Sequence, residues 1–292
     1  MTFDEACEAY MESKSMRLRE TTLEGYASAI AKHVLPAWGR REVGSVRHAE
    51  VQRWVDSIEG AGAASKAFKT FRQVLRWAER ELQLDAPDPT RGIELPKRAG
   101  RRAERLSPAE ERSALRACAG EPWEAVALCA AALGLRPSEA CGLDWSDVDW
   151  RSGWVHVQRG AHSVHGGRTV ELPCKTPLSR RWVKLPGWAL ARLREIRGRR
   201  RAGRMRGELS PRAIACRLKR MLRRIGLGRA SIGCLRHSWA TMAVEAGAAI
   251  ADVAVALGHT SVETCRRHYI MSTRAVVRRA GDAYSRAMLC EP

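Results

Sequence analysis

A short stretch near the end of the chain holds the residue types that phosphate-ester chemistry needs. From Leu257 to Met271 the sequence is LGHTSVETCRRHYIM, which places Tyr269 directly after two arginines and His268. A phenol, with a pKa near 10, is a poor nucleophile in water. It becomes effective where cations and an imidazole surround it and a highly charged substrate lies in front of it. Tyr269 is therefore the candidate nucleophile, and a DNA phosphodiester is the candidate substrate.

The composition of the chain favours a polyanionic partner. Among 292 residues, 51 Lys and Arg outnumber 32 Asp and Glu, which gives a formal net charge of +19. Such a charge is typical of proteins that bind DNA, RNA or an acidic membrane surface. The sequence has no apolar run of about 18 residues, and its start lacks the form of a signal peptide. We expect a cytoplasmic protein of a bacterial or phage-infected cell, without a membrane partner.

Cysteine and histidine spacing predicts neither a disulfide framework nor a metal site. The nine cysteines are scattered and odd in number, so most are expected to be small core residues. The only cluster that resembles a metal site is His156, His162 and His165, and we interpret it as part of a solvated hairpin. No metal and no cofactor are therefore predicted.

The first domain is predicted to be all-helical and to span residues 1–93. Its third helix, predicted over 65–82, turns Phe68, Phe71, Val74 and Leu75 inward. Basic residues alternate with these apolar ones, namely Lys66, Lys69, Arg72, Arg76 and Arg80. The basic row fits a helix that lies along a DNA groove. It fits a solvated helix face equally well, and the sequence leaves both open.

A basic linker is predicted over residues 94–106. Three prolines between Asp85 and Ser107 disfavour helix, and the run KRAGRRAER carries Lys97, Arg98, Arg101 and Arg102. We expect this segment to cross a phosphate backbone, although free linkers are often basic as well.

The second domain, residues 107–292, is predicted to be mixed α+β. Ser107, Pro108 and Glu110 form a helix-start signal. Three short segments with strand character, 154–158, 169–173 and 181–185, predict a three-stranded antiparallel sheet. Helices are expected around it, at about 188–200, 211–225, 235–247, 250–257, 261–268 and 273–288. The fold class is thus mainly α, with a small sheet in the second domain.

Four motifs in this domain, taken in order, resemble the tyrosine site-specific recombinases of the phage integrase family. They are LGLRPSE at 133–139 followed by LDWSDVD at 143–149, Lys175 in CKTPLSRRWVKLP, LRHSWAT at 235–241, and LGH at 257–259 followed by Tyr269. The first domain is similar to the helical core-binding domain of that family, through VLPAWG, the helix with Val51 and Trp54, and the exit DPTRGIELP. The resemblance implies two domains that form a C-shaped clamp on DNA.

The resemblance also implies a role for each motif residue. Arg136 and Arg236 would hold the scissile phosphate, and His259 would donate a hydrogen bond to it. Lys175 would protonate the leaving 5′ oxygen, with Lys184 as its rival, while Tyr269 attacks phosphorus. Glu139 would position Arg136 or pack its helix. Tyr10, Tyr26 and Tyr284 lack the LGH box and are interpreted as packing residues.

Two departures from the family pattern concern the proton chemistry. Most members have a histidine three residues before the second arginine, where this chain has Gly233. The histidine is thought to help take the phenol proton. His237, one helical turn later on the same side, is either a partial substitute or a residue that only packs. Tyr269 also lies ten residues after His259, and His268 takes the commoner position. General-base assistance is worth roughly 10²–10⁴-fold, so loss of the histidine at 233 would slow cleavage without necessarily abolishing it. Either departure would be a mark of a weakened enzyme.

The family implies double-stranded DNA with paired core sites, a homotetramer on that DNA, and an accessory directionality factor as partners. A catalytically weakened DNA-binding relative and a type IB topoisomerase-like relaxing enzyme are the alternatives. No arm-binding domain is expected before residue 1. The amino-acid sequence does not identify the target DNA sequence. It also does not show whether the protein acts on a mobile element or resolves DNA dimers.

Overall fold

The computed structural model describes residues 1–83, 87–97 and 104–259. The chain divides into two units, Met1–Arg101 and Arg102–Pro292, and each has a hydrophobic core of its own. The predicted fold class, mainly α with a small antiparallel sheet in the second unit, is confirmed. The limits of the linker, 94–106, stay a prediction.

The first unit is all-helical in its described residues. Its helices are α1 (Phe3–Ser15), α2 (Glu20–Ala29), α3 (Leu35–Trp38), α4 (His48–Ser57) and α5 (Ala61–Glu81), with a π-helical turn over Ile30–Val34 that joins α2 to α3. Helix α5 begins four residues earlier than predicted. Gly60 takes a φ of 85°, which turns the chain, and the alanines that follow are the strongest helix formers.

An aromatic cluster forms the centre of the first unit. The ring of Phe71, on α5, lies 5.0 Å from the rings of Phe3, Trp38 and Trp54, measured between centroids. Phe71 has no solvent exposure. Because aromatic pairs at this distance gain energy beyond area burial, this residue ties α1, α3 and α4 to α5.

The second unit is built around one buried helix. Its helices are α6 (Pro108–Ala117), α7 (Glu124–Leu133), α8 (Pro137–Cys141), α9 (Gly187–Arg197), α10 (Pro211–Arg224), α11 (Ile232–Glu245) and α12 (Ile250–Leu257). Every residue of α7 is buried. A helix that is apolar all round has to be covered on all sides, which explains its central position.

The predicted three-stranded sheet is wrong in its strand count. Four strands form two antiparallel pairs: β1 (Trp154–Val157) with β4 (Arg181–Lys184), and β2 (Arg159–Ser163) with β3 (Thr169–Pro173). Strand β2 escaped prediction because Gly160 and Ala161 have low strand propensity. Gly160 lies close to α8, since a Cβ built on it would lie 3.2 Å from the Cβ and Oγ of Ser138.

Metal-type clusters and membrane spans are both missing from the described part of the chain. None of its helices is long and apolar enough to cross a membrane. Within the same residues, no three His, Cys, Asp or Glu side chains are grouped to hold a metal ion. The seven described cysteines are free thiols, and burial raises the pKa of Cys129 to about 12.

Replacement of Phe71 by alanine is expected to destabilise the first unit by about 3–5 kcal/mol, because it leaves a cavity among three rings. Urea unfolding monitored by tryptophan fluorescence measures this effect. The matched control is Lys69→Ala on the exposed face of the same helix, with an expected change within about 0.5 kcal/mol. Equal losses for both variants would contradict the assigned core.

Candidate active site

The carboxylate of Glu139 is the centre of a buried arginine cluster. Glu139 lies on α8, is 4% exposed, and accepts hydrogen bonds from the backbone N–H of Arg136 at 3.0 Å and from Arg136 Nη1 at 2.6 Å. Arg136 is the residue before the helix, and Pro137 is its first helical residue. The helix start therefore fixes both the position and the direction of the first motif arginine.

Arg181 is the main partner of this carboxylate, and the sequence analysis did not identify it as a site residue. Its Nη1 and Nη2 donate to the two oxygens of Glu139 at 3.3 and 3.1 Å, and its Nε donates to the carbonyl of Ala256 at 2.6 Å. The alternation of inward and outward residues along β4 is the sequence signal that could have identified Arg181 as a site residue. Arg181 shares the inward face of β4 with Val183, and an arginine in an inward position needs an acidic partner.

Arg236 approaches the same carboxylate from α11. Its Nη1 lies 3.8 Å from Glu139 Oε2, and its guanidinium donates to the carbonyls of Gly134 and Leu257 at 2.9 and 2.8 Å. Arg136 Nη2 donates to the carbonyl of Gly258 at 3.0 Å. The two motif arginines thus also bond the carbonyls at the ends of α7 and α12, where backbone acceptors lack intrahelical partners.

The cluster gathers three guanidiniums around one carboxylate. Burial opposes ionisation of Glu139, but Arg181, followed by Arg136, holds the pKa of its carboxyl below the ordinary value. Glu139 therefore stays ionised at neutral pH. The cluster suits an anion whose oxygens can accept hydrogen bonds from two guanidiniums at once, such as a phosphodiester.

The turn at Gly258 brings the LGH box against this cluster. Gly258 has a φ of 64°, and a Cβ there would lie 3.0 Å from Arg181 Nη1 and 3.1 Å from the carbonyl oxygen of Leu178. Only glycine combines this conformation with so close an approach. His259 follows at once, and its N–H donates to the carbonyl of Ala254 at 3.0 Å.

Lys175 lies in the exposed loop between β3 and β4. Leu178 and Ser179, from the same loop, contact the Gly258 turn and Arg181. No hydrogen bond or ion pair within the described residues joins the Lys175 ammonium to the arginine cluster. The rival, Lys184, lies on the face of β4 opposite Arg181 and donates to the carbonyl of Ser152. The structure thus separates Lys184 from the cluster.

The accessory positions lie on α11 or outside the described residues. Gly233 is in the first turn of α11, and among the described residues the nearest atom to a Cβ built there is Ser231 Oγ at 3.7 Å. His237 is half-buried one turn further along the same helix. His268 and the predicted nucleophile, Tyr269, lie outside the described residues.

The basic residues predicted to contact DNA fall into three groups. Lys66 and Lys69 are exposed and line a groove of about 530 Å³ between α2 and α5, together with Thr21, Thr22, Ser65 and Gln73. Thr21, Thr22, Ser65 and Gln73 were not among the residues predicted to contact DNA. Lys97 is exposed, whereas Arg98, Arg101 and Arg102 lie outside the described residues.

Arg72 and Arg76 are instead paired with an acid. Arg76 Nη2 lies 2.7 Å from Asp88 Oδ2, and Arg72 Nη2 lies 3.9 Å from it. Burial opposes ionisation of Asp88, but hydrogen bonds from Arg76 and Thr90 lower the pKa of its carboxyl to about 2. Both arginines therefore also hold the chain after α5.

Replacement of Arg181 by methionine is expected to destabilise the second unit by about 3 kcal/mol, since it removes the main partner of a buried carboxylate. This loss of stability is at the lower end of the range for removing one partner of a buried ion pair, because Arg136 and Arg236 remain close to the carboxylate. Urea unfolding measures it. Lys184→Met, on the opposite face of β4, is the control and should change stability by no more than about 0.5 kcal/mol. A similar result for the two variants would show that Arg181 does not hold the cluster.

Comparison with known proteins identifies both halves of the chain. Residues 104–275 match the model of the phage integrase family, and residues 2–58 match that of the phage integrase N-terminal SAM-like domain. A tyrosine recombinase XerC-like protein of Caldanaerobacter subterraneus is 26% identical over 266 residues, which cover 78% of this chain and 68% of the relative.

Solved structures of integrases on DNA share the fold. The Tn1549 transposon integrase in complex with transposon right end DNA has a TM-score of 0.81 at 14% identity, over 98% of this chain and 100% of that one. The lambda integrase tetramer bound to a Holliday junction has a TM-score of 0.70 at 18% identity, over 94% and 80%. The match to the phage integrase model covers more than half of this chain. The chain therefore belongs to the phage integrase family of tyrosine recombinases.

Proposed function

We propose that this chain is a site-specific DNA recombinase that cuts and rejoins strands through a 3′-phosphotyrosine at Tyr269. The observation that carries the proposal is the arginine cluster. Arg136, directly before α8, and Arg236, on α11, meet at Glu139 beside the turn that leads to His259.

The two motif arginines would bind the non-bridging oxygens of the scissile phosphate. Arg136 is about one-third exposed and Arg236 is nearly buried, so the phosphate would meet Arg136 first and Arg236 at the bottom of the site. Cations fixed before the reaction stabilise charge that develops in the transition state, and loss of one such donor typically costs about 10²–10³-fold in rate.

The strand-cleavage step conserves the phosphate ester. The phenol oxygen of Tyr269 forms a bond to phosphorus, the bond from phosphorus to the 5′ oxygen breaks, and Lys175 gives that oxygen a proton. Rejoining reverses the step with the 5′ hydroxyl of another strand. Because one ester replaces another, the proposed reaction needs neither ATP nor a metal ion.

Proton removal from the phenol is the weak point of the proposed site. His259 would donate a hydrogen bond to the phosphate, and Gly233 offers no side chain where the family has a base. His237 lies one turn along the same helix, and it and His268 are the candidates to receive the proton. This gap also supports the alternative function, a DNA-binding relative that turns over slowly or not at all.

DNA duplexes with paired core sites are the proposed substrate, bound by a tetramer of the chain. The lambda integrase in the comparison is a tetramer on a Holliday junction, and we extend that assembly to this protein. In the first unit, the groove with Lys66 and Lys69 would contact the phosphate backbone. A directionality factor would be an additional partner.

A suicide substrate separates catalysis from binding alone. Duplexes taken from the DNA that flanks the gene, nicked at successive positions to place one nick near the crossover, should form a covalent adduct with the full-length protein. The adduct should disappear in Tyr269→Phe, because this substitution removes only the attacking oxygen.

The control for this experiment is Tyr284→Phe, which should keep the adduct. Binding without an adduct in the unmodified protein would favour the alternative function. Loss of the adduct in Tyr284→Phe, with retention in Tyr269→Phe, would refute the assigned nucleophile.

Gly233→His is expected to accelerate cleavage by about 10-fold or more, since general-base assistance is worth roughly 10²–10⁴-fold and His237 supplies part of it. Among the described residues, the nearest atom outside the helix backbone to a Cβ at 233 is 3.7 Å away, an ordinary van der Waals distance. Single-turnover cleavage rates and DNA affinity should be measured together. Gly233→Ala is the control, with unchanged rate and affinity. An unchanged rate in Gly233→His would show that another group already supplies the base.

A further inference from the structure

The outward face of the β1–β4 pair exposes two tryptophans that no described core covers. Trp154 on β1 is 43% exposed, and Trp182 on β4 is 56% exposed. The register pairs Trp154 with Lys184 and His156 with Trp182, and strand alternation places all four on the face opposite Arg181 and Val183. We call these four residues the aromatic face.

Each tryptophan of the aromatic face has a polar or cationic neighbour. The His156 ring stacks on Trp182 with 4.5 Å between centroids and planes 11° apart. Arg180 Nε is 3.4 Å from His156 Nε2. Lys184 Nζ lies 5.4 Å from the centroid of Trp154, within cation–π range. The arrangement holds the rings in place while more than half of Trp182 stays accessible.

The charge around the aromatic face selects the class of partner. Lys184 belongs to it, Arg180 lies beside it, and none of its four residues is acidic. The nearby carboxylate of Asp149 is occupied by hydrogen bonds from Arg151 and Ser152. A partner with both planar rings and negative charge fits this surface, and unpaired DNA has both.

We propose that the aromatic face binds single-stranded DNA by stacking two bases on Trp154 and Trp182. The two tryptophans are diagonal neighbours across the strand pair, which places them about 7–8 Å apart, so each can take one base of the same strand. Arg180 and Lys184 would contact the phosphates between them. Its use in recombination rests on the proposed function, since bases next to the cut must unpair before a strand can change partners.

The test compares binding of a labelled oligothymidylate of about 16 nucleotides, the upper end of a single-strand site, with binding of a duplex of equal length. Full-length Trp182→Ala and Trp154→Ala are measured at one salt concentration, because phosphate contacts depend strongly on salt. The matched control is Trp188→Ala, a tryptophan that is 57% exposed on α9 in the same unit.

Each aromatic-face variant should lose about 5- to 100-fold in affinity for the oligothymidylate, the range expected for one stacked base. Its duplex affinity should change by less than about twofold, Trp188→Ala should match the unmodified protein, and Trp182→Phe should retain most of the affinity.

Three results would overturn the proposal. The first is an affinity of Trp182→Ala for the oligothymidylate equal to that of Trp188→Ala. The second is an equal loss of single-strand and duplex binding in Trp182→Ala. The third is a change only in assembly of the protein on duplex DNA, which would assign the face to a protein contact. The assay measures binding and does not depend on cleavage. Its result therefore stands even if the protein forms no covalent adduct through Tyr269.

Discussion

A single buried carboxylate surrounded by guanidiniums is the interaction on which the candidate site depends. Glu139 receives hydrogen bonds from Arg136 and Arg181, and Arg236 lies within 3.8 Å of it. Alone, any of these charges would be costly to bury. Together they hold three separate parts of the second unit at one point, and guanidiniums gathered in this way suit the binding of an anion.

The elements around this cluster serve mainly to aim its arginines. Helix α8 fixes Arg136 through its first turn, β4 directs Arg181 inward, and α11 carries Arg236. The carbonyl groups at the ends of α7 and α12 accept from these same side chains. Helix ends that need capping and arginines that need acceptors thus satisfy each other. The same loop that positions Arg181 also carries Lys175, so the general acid of the proposed reaction is joined to the cluster through the backbone.

Sequence reasoning predicted much of this arrangement and missed particular parts for physical reasons. The convergence of Arg136 and Arg236 was expected because the family motifs appear in order, and the helices of the first unit followed from their apolar spacing. Arg181 was missed because a local motif does not show which acid a strand residue will meet. Strand β2 was missed because Gly160 and Ala161 have low strand propensity, and the close approach of Gly160 to Ser138 on α8 is a tertiary contact that local sequence does not show. The pairing of Arg72 and Arg76 with Asp88 depends on a turn that periodicity does not describe.

A double-mutant cycle between Glu139→Gln and Arg181→Met, read as free energies of unfolding of the second unit, tests the central claim most directly. If the carboxylate holds the arginines, the double variant should be less destabilised than the sum of the single ones. The expected coupling is on the order of 1–3 kcal/mol, as for groups in one buried network. Additive losses, within about 0.5 kcal/mol, would show that the two side chains contribute independently and would contradict the account.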